Sequence, residues 1–449
     1  MNGPPGLAGG APVGRRRYWI YLLLFLLAAI NTADRAALSV AAKPIAEEFG
    51  ISTVEMGYLF SSVLWAYLFC LIPAGMLADR FGTRAVNAGG IILWSAATAL
   101  TGGAWSFHSV LASRLVMGVG EATTWPAAGR VIREWAPAGE RGFAAAVFNT
   151  GSYAGPAFGA LLIAWLVSVA GWRVAFFGAG AVGIGWVVAW LVWFRRPEQA
   201  TFLEPKERAL ILRERDAGTG DMQQARAPSR VGVLLRSRSL WGACITQGCA
   251  VYTQYLFLTW LPSYLQATRN LSMTSLGVYT ALPYAAAVLF GILLGAASDR
   301  MLTGADVQGG RRRNMVAGML LLSSVVLLAP LVSDIWLILL LIAVSLTGIA
   351  AAISLNLALV SDLLRSPQDA GKVTGILIVG GNAFGIAAPI VTGYVIAATG
   401  SYNGAFVIAG LLLLVGVAVS LTMTRRPIET EHSATARSAD DVLRPAQDS

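Results

Sequence analysis

The chain alternates long apolar runs with short polar breaks, and the lengths of those runs decide what it builds. Apolar stretches extend from Tyr18 to Ala33, Met56 to Ala78, Phe143 to Ala170, Val174 to Phe194, Leu240 to Leu261 and Leu276 to Ala297. They continue from Met315 to Val332, Ile335 to Val360, Val373 to Ala398 and Phe406 to Met423. Two more, Ala85 to Trp105 and Val110 to Ala128, are broken by glycine and a few polar groups. A helix needs about 20 residues to cross roughly 30 Å of hydrocarbon, so the pattern predicts about twelve membrane-spanning helices joined by short loops. The first run is too long for a signal peptide and ends in Asp34 and Arg35, so it reads as the first span.

The breaks divide these spans six and six. Residues 195–239 hold many charges, three prolines and an amphipathic piece from Glu204 to Arg215, which predicts a linker with one short interfacial helix. The expected organisation is a tail over 1–17, a six-helix bundle over 18–194, the linker, a second six-helix bundle over 240–426 and a tail over 427–449. Both tails are polar or rich in glycine and proline and are expected to be disordered. The halves repeat one another. Gly75, Asp79 and Arg80 recur as Gly295, Asp299 and Arg300, 220 residues later. Gly151 and Gly155 recur as Gly381 and Gly385, and Ala175, Phe176 and Gly180 as Ala405, Phe406 and Gly410, all 230 residues later. Matches in order at nearly constant offset predict a duplicated, pseudo-symmetric all-α polytopic membrane protein.

Composition agrees. Hydrophobic residues make up 56% of the 449 and charged ones 13%, about half of what covers a water-soluble surface. The net charge of +9 points to nucleic acid only if its location is ignored. Lys43, Arg173 and Arg269 fall in the loops of one side and Arg35 and Arg114 within spans. The other 28 of the 33 basic residues lie in the tails, the linker and the opposite loops. That bias puts both termini and the linker in the cytoplasm. Cys70, Cys244 and Cys249 sit in apolar runs and read as core residues, and His108 and His432 have no partners at metal-ligand spacing. No catalytic cluster is visible, so an enzyme is not expected.

Candidate chemistry lies in the charges that break the apolar runs. Asp34, Arg35, Arg114 and Glu121 all fall in the first half, and Arg114 and Glu121 are two turns apart on one helical face. Charges at membrane depth are costly, and they mark functional sites more often than not. If one arginine takes a substrate carboxylate, an acid loses its partner and binds a proton instead, a direct route to proton coupling. After the second span, Gly75-x-x-x-Asp79-Arg80-x-Gly82-x-Arg84 has the makings of a gating loop. Gly75 would allow close helix approach, Asp79 would cap a helix start, and Arg80 and Arg84 would pair across the loop. In the second copy the basic cluster Arg311 to Arg313 is displaced by a glycine-rich insertion. Glycines at 151, 155 and 159 read first as helix contacts.

That loop resembles the signature of the major facilitator superfamily, whose two six-helix repeats place a site near mid-membrane. Asn31-Thr-Ala-Asp34-Arg35 further resembles its anion:cation symporter family. So do Trp65-Ala-Tyr67, Arg114-x-x-x-Gly118-x-x-Glu121, Trp125-Pro126, Glu140-Arg141-Gly142, Trp260-Leu-Pro262 and Gly381-Asn382. The resemblance implies an importer of a small organic anion, a sugar acid or related carboxylate, coupled to protons and needing no other cofactor. It implies proton binding at Asp34 and Glu121, carboxylate binding at Arg35, a charge network through Arg114 and a site lined by Tyr67. Asn149, Ser152, Gln247, Tyr252 and Asn382 are the further substrate contacts expected, and Asp299 and Arg300 the second gating loop. Two departures, Thr32 for a tyrosine and Ser152 for a glutamine, leave room for a less hydroxylated acid. Gly151-x-x-x-Gly155-Pro156 resembles a motif of drug–proton antiporters and keeps export of an organic compound as the alternative. The chain is expected to work as a monomer in a cell inner membrane, with lipid as its surroundings and no nucleic-acid partner.

The charge bias makes a test of topology. A cysteine placed in the linker near Glu207 is expected to react with an impermeant thiol reagent only after the membrane is opened; labelling from outside intact cells would overturn the orientation.

Overall fold

The computed structural model describes residues 14–223, 230–269, 271–301, 310–364 and 367–428, and their side chains except at 216–223, 292–301 and 367. Most of both tails lies outside them, as do the side chains of Asp299 and Arg300. The elements in order are α1 (Tyr18–Val40), α2 (Ala42–Phe49), α3 (Thr53–Phe81), α4 (Thr83–Gly102), α5 (Phe107–Glu121), α6 (Thr124–Trp135) and α7 (Arg141–Trp193). The linker holds α8 (Pro205–Gln223) and α9 (Val231–Leu234). There follow α10 (Arg238–Arg269), α11 (Met273–Met301), α12 (Arg311–Ser323), α13 (Ile335–Leu363), α14 (Ala370–Thr399) and α15 (Asn403–Met423). Among the described residues nine helices are long and apolar enough to cross a membrane. The longest, α7, is two antiparallel arms joined at Gly171, whose φ of 83° is readily adopted only by glycine. A 3₁₀ stretch over Ser324–Leu331 extends α12, and Pro126, which has no N–H to donate, accounts for the break between α5 and α6.

The two halves use the same helix pairings. In the first, α1 packs along the first arm of α7, α4 along its second arm, and α3 and α4 against α5. In the second, α10 packs along α14, α12 against α15, and α11 and α12 against α13. The repeated glycines sit at equivalent crossings. A Cβ on Gly151 would lie 2.4 Å from the Phe25 carbonyl of α1, and one on Gly381 would lie 2.7 Å from Gln247 of α10. Gly180 meets Ser95 of α4 as Gly410 meets Leu327 beyond α12. The sequence repeat is therefore a repeat of contacts that only a hydrogen side chain fits. Gly155 and Gly159 continue the seam along Ala29, Thr32 and Ala33 of α1, so this glycine motif serves helix packing here.

The halves touch at one end and part at the other. Opposite the linker, on what we call the far face, α3 crosses α14: a Cβ on Gly57 would lie 2.6 Å from the Pro389 carbonyl, and one on Gly393 would lie 2.7 Å from that of Thr53. Gly277 of α11 meets Ala164 of α7 equally closely, at 2.7 Å. Met56, Gly57 and the residues from Leu59 to Leu64 are buried, but toward the linker face Phe69 and Met76 on the same helix are 84% and 67% exposed. Gly75 was expected to bring helices together; a Cβ there would meet open space, because α3 has left its partner by that point. Asp79 caps no helix, since α4 starts at Gly82 without a side-chain cap; its carboxylate is paired with Arg130 of α6 instead. Arg80 lies over the Phe81 ring at 5.3 Å and Arg84 donates to the Leu191 carbonyl, so neither makes the expected cross-loop ion pair.

On the far face α2 is fastened by Glu48. Its carboxylate accepts from Arg173 at 2.8 Å and from the Trp172 indole at 2.9 Å, and those bonds hold it below the ordinary carboxylate range. The linker helix is fastened more deeply. Glu207 of α8 is fully buried, accepts from the backbone N–H groups of Arg16 and Arg17 at 3.3 and 3.1 Å, and pairs with the Arg17 guanidinium at 2.8 Å. It caps the N-terminus of α1 from across the chain. Arg17 also holds Glu140 at 2.6 Å, and Phe202 stacks on Trp135 with centroids 5.8 Å apart. The expected interfacial helix is thus docked on the first bundle. Removing one partner of a buried pair costs about 3–5 kcal/mol. Glu207→Ala is therefore expected to lower the Tm in detergent by about 3 °C or more. Glu204→Ala, which removes a half-exposed contact of 4.0 Å, is expected to move it by less than about 1 °C. Equal shifts would show that the buried cap does not hold the linker.

Candidate functional site

The centre of the first bundle collects its charges on two helices. α1 carries Asn31, Asp34 and Arg35 within little more than a turn, and α5 carries Arg114 and Glu121 on one face. Glycines set how closely α5 fits. A Cβ on Gly118 would lie 2.2 Å from the Val63 carbonyl of α3, and one on Gly120 would lie 2.6 Å from that of Gly90 on α4. Wedged between α3 and α4, α5 delivers Glu121 to α1.

Arg35 is the hub. Its Nε and Nη2 lie 2.7 and 2.6 Å from Glu121 Oε2, and its Nη1 donates to the Tyr255 hydroxyl of α10, in the opposite half. Its guanidinium carbon lies 5.3 Å from the centre of the Tyr67 ring, in cation–π contact. Glu121 is completely buried and Arg35 nearly so. An isolated charge at helix centre costs about 2.5–3.5 kcal/mol on insertion scales, so each holds the other in place.

Arg114 was expected to pair with the acids. It lies among them, yet its Nη1 donates to the backbone carbonyl of Asp34 at 3.3 Å and to Met117 Sδ at 3.1 Å. Asp34 is buried and its Oδ2 has no hydrogen-bond partner; the same holds for Glu121 Oε1 and Arg114 Nε. Two carboxylates thus share the centre: Glu121 is paired with Arg35 through one oxygen, and each acid keeps another oxygen without a partner.

The second half faces them with polar groups. Asn356 of α13 donates to Gln247 Oε1 at 2.9 Å, and Gln247 packs against Gly381. Next to that glycine, Asn382 donates to the Ile378 carbonyl of its own helix at 2.9 Å. One turn further, Gly385 touches both Tyr255 and Leu64 of α3, so Gln247 and Asn382 lie just to the linker side of the Arg35–Tyr255 contact. Ser152, whose hydroxyl is unpaired, and half-buried Asn149 lie on the first arm of α7, level with the earlier turns of α1. Tyr252 does not join them; it is buried in the apolar core of the second half. The tyrosine that reaches the site is Tyr255, three residues on, and the helical spacing of the pair was its signal. Asn356 and Arg130 gave none, since their roles depend on neighbours from other helices. Thr32 packs in the α1–α7 seam and donates to the Ala28 carbonyl at 2.8 Å, so its departure from the family pattern is a packing change.

Two repeated helical bundles that enclose paired charges at their junction are the architecture of a membrane transporter. The sequence profile of the Major Facilitator Superfamily matches residues 24–305 and 270–447, and the chain belongs to that family. It is 33% identical to a protein of Bacillus subtilis (strain 168) named a probable galactarate/D-glucarate transporter, over 95% of this chain and 98% of the relative. It is 32% identical to the D-galactonate transporter of Escherichia coli O6:H1, over 86% and 90%. A crystal structure of a bacterial homologue of the human lysosomal transporter Spinster, inward-facing and occupied, shares the fold with a TM-score of 0.67. It does so at 18% identity, covering 92% of this chain and 98% of that one. The protein is therefore a multi-pass membrane transporter of the major facilitator fold.

Arg35 is the residue whose loss the geometry makes most damaging. Arg35→Gln is expected to abolish binding of a transported acid, and Arg35→Lys to weaken it by about tenfold or more, since an ammonium keeps the charge and loses the planar fork. Titration calorimetry on the purified variants measures this; wild-type affinity in Arg35→Gln would place the carboxylate elsewhere.

Proposed function

We propose that the protein imports a sugar acid or a closely related small carboxylate together with protons, by alternating access. The observation that carries the reading is Arg35, a buried guanidinium shared between Glu121 of its own half and Tyr255 of the other. A planar fork suits a carboxylate, and a positive charge at the centre disfavours a cationic drug. The names of the relatives support a sugar acid, and Gln247, Asn356 and Asn382 supply amides that suit hydroxyl groups. Tyr67 and Asn382 close the site from either half.

Coupling follows from charge balance. When a substrate carboxylate takes Arg35, Glu121 is left as a bare buried anion, which a proton neutralises. Asp34, with its free oxygen, is the second proton site. The two halves rock about the junction: contact at the far face and separation at the linker face correspond to a state open toward the linker. The basic bias of that face supports placing it, with both termini, in the cytoplasm. Counting α7 twice, and α10 and the α5–α6 pair with the other long helices, supports twelve crossings. We take the chain to act as a monomer in the cell inner membrane.

Glu121→Gln imitates the protonated acid permanently and keeps its shape. Counterflow of galactarate, D-glucarate or D-galactonate in proteoliposomes is expected to persist in it, while uptake driven by a pH gradient is lost, because the empty carrier cannot release its proton and return. Persistence of both would make Glu121 structural. Failure of all three acids in the wild type would remove the sugar-acid assignment.

A further inference from the structure

The cycle proposed above names two carboxylates at the centre but no route by which a proton leaves them, and the first half carries polar atoms that the cycle does not use. On α4, Thr83, Asn87 and Trp94 follow one another at spacings of four and seven, which put them on one helical face. All three are buried. Thr83 Oγ1 and both amide atoms of Asn87 make no hydrogen bond within the protein, and the Trp94 indole turns toward the Asp34 carboxyl. Facing them, Thr124 Oγ1 on α6 and Glu121 Oε1 on α5 are equally buried and equally unpaired.

The register of the two surfaces is set by the Gly90–Gly120 crossing. A Cβ on either glycine would fall within 2.8 Å of the other's carbonyl oxygen. α4 runs away from the linker face and α5–α6 run back toward it. Asn87 therefore lies about 4.5 Å, and Thr124 about 6 Å, from the crossing toward the same linker end. Trp94 lies on the other side of the crossing, where the carboxyl of Asp34 faces its indole. Thr83 opens α4 at the linker face, four residues after Asp79. The charged groups facing this seam are Asp34, Arg35, Arg114 and Glu121 at its inner end; the paired Asp79 and Arg130 stand at its outer end.

Buried polar atoms in proteins are paired with one another or with ordered water. Here unpaired atoms follow one another along one face of α4 and the facing turn of α6, from the carboxylates toward the linker face. We propose that the seam between α4 and α5–α6 is a hydrated proton path. It connects Asp34 and Glu121 to the linker face past Asn87, Thr124 and Thr83, and it is separate from the opening between the halves that the substrate uses. The proton passes from the carboxylic acid to water, leaving a carboxylate, and an equal proton is delivered from water at the outer end. Asn87 does not titrate: its oxygen accepts from water and its nitrogen donates to water, so it is a positioning residue. The inference rests on proton coupling as proposed above.

The test uses the full chain in proteoliposomes containing a trapped pH dye, with whichever of the three acids gives counterflow in the wild type. Asn87→Leu fills the space with an apolar group of similar size. It is expected to keep counterflow and to slow substrate-driven proton movement by about tenfold, the effect of about 1.4 kcal/mol on a barrier. Asn87→Ser, which keeps a polar atom and leaves room for water, is expected to restore it. Thr124→Val, nearly isosteric, is expected to act like Asn87→Leu and carries the test if the latter does not fold. If the wild type moves no protons with its substrate, coupling is wrong and the path falls with it. If the wild type is coupled and both apolar variants move protons at its rate, coupling stands and the path is refuted. Loss of counterflow together with proton movement, without rescue by Asn87→Ser, would mean the seam serves only packing.

Discussion

Charge within an apolar bundle has to be answered locally, and in this protein the answer is Arg35. Neither Arg35 nor Glu121 is tolerable alone at that depth. Each therefore holds the helix that carries the other, and the end of α5 is bound to α1. The glycine wedge of Gly118 and Gly120 makes the meeting possible, because α5 can reach α1 only by pressing its backbone against α3 and α4. The same pair is what a substrate carboxylate would compete for. One interaction thus ties helix packing to ligand exchange, and a single acid on the wrong helix would forfeit both.

The Arg35–Tyr255 hydrogen bond gives that pair a reach beyond its own half. The halves meet where α3 crosses α14, where α7 meets α11 and where α1 meets α10, and the last of these contacts passes through the site. The close backbone contacts lie at the far face, around Gly57, Gly277 and Gly393, with little side chain between the helices. Such contacts slide or separate as units, which suits rigid bodies moving about a fixed centre. At the linker end each half closes itself instead, through Asp79 with Arg130 in one and Arg312 with Asp362 in the other. The linker helix belongs to the first half by virtue of Glu207, so the start of the linker is fastened to that bundle.

Several expectations about the gating loop met a different geometry, and they share a cause. Gly75 faces open space and Asp79 pairs with a residue 51 positions away. A loop motif gives residue types and spacing, whereas their partners depend on which helices lie beside them. With the linker face open, α3 has no neighbour at Gly75.

The sequence by itself determined the architecture. Spans are set by the length of apolar runs, and their halves by repeated glycines that sit where helices cross closely. Position in the chain is enough to read such local patterns. It also placed Asp34, Arg35, Arg114 and Glu121 at the centre, because uncompensated charge in a span is conspicuous wherever it sits. Only the tertiary structure decided which charge pairs with which. It gave Glu121 to Arg35, turned Arg114 to a carbonyl, chose Tyr255 over Tyr252, and buried Glu207 under the N-terminus of α1. Pairing is a matter of distances between helices far apart in the chain, and those distances follow from how closely every glycine crossing lets two backbones approach, which no single segment encodes.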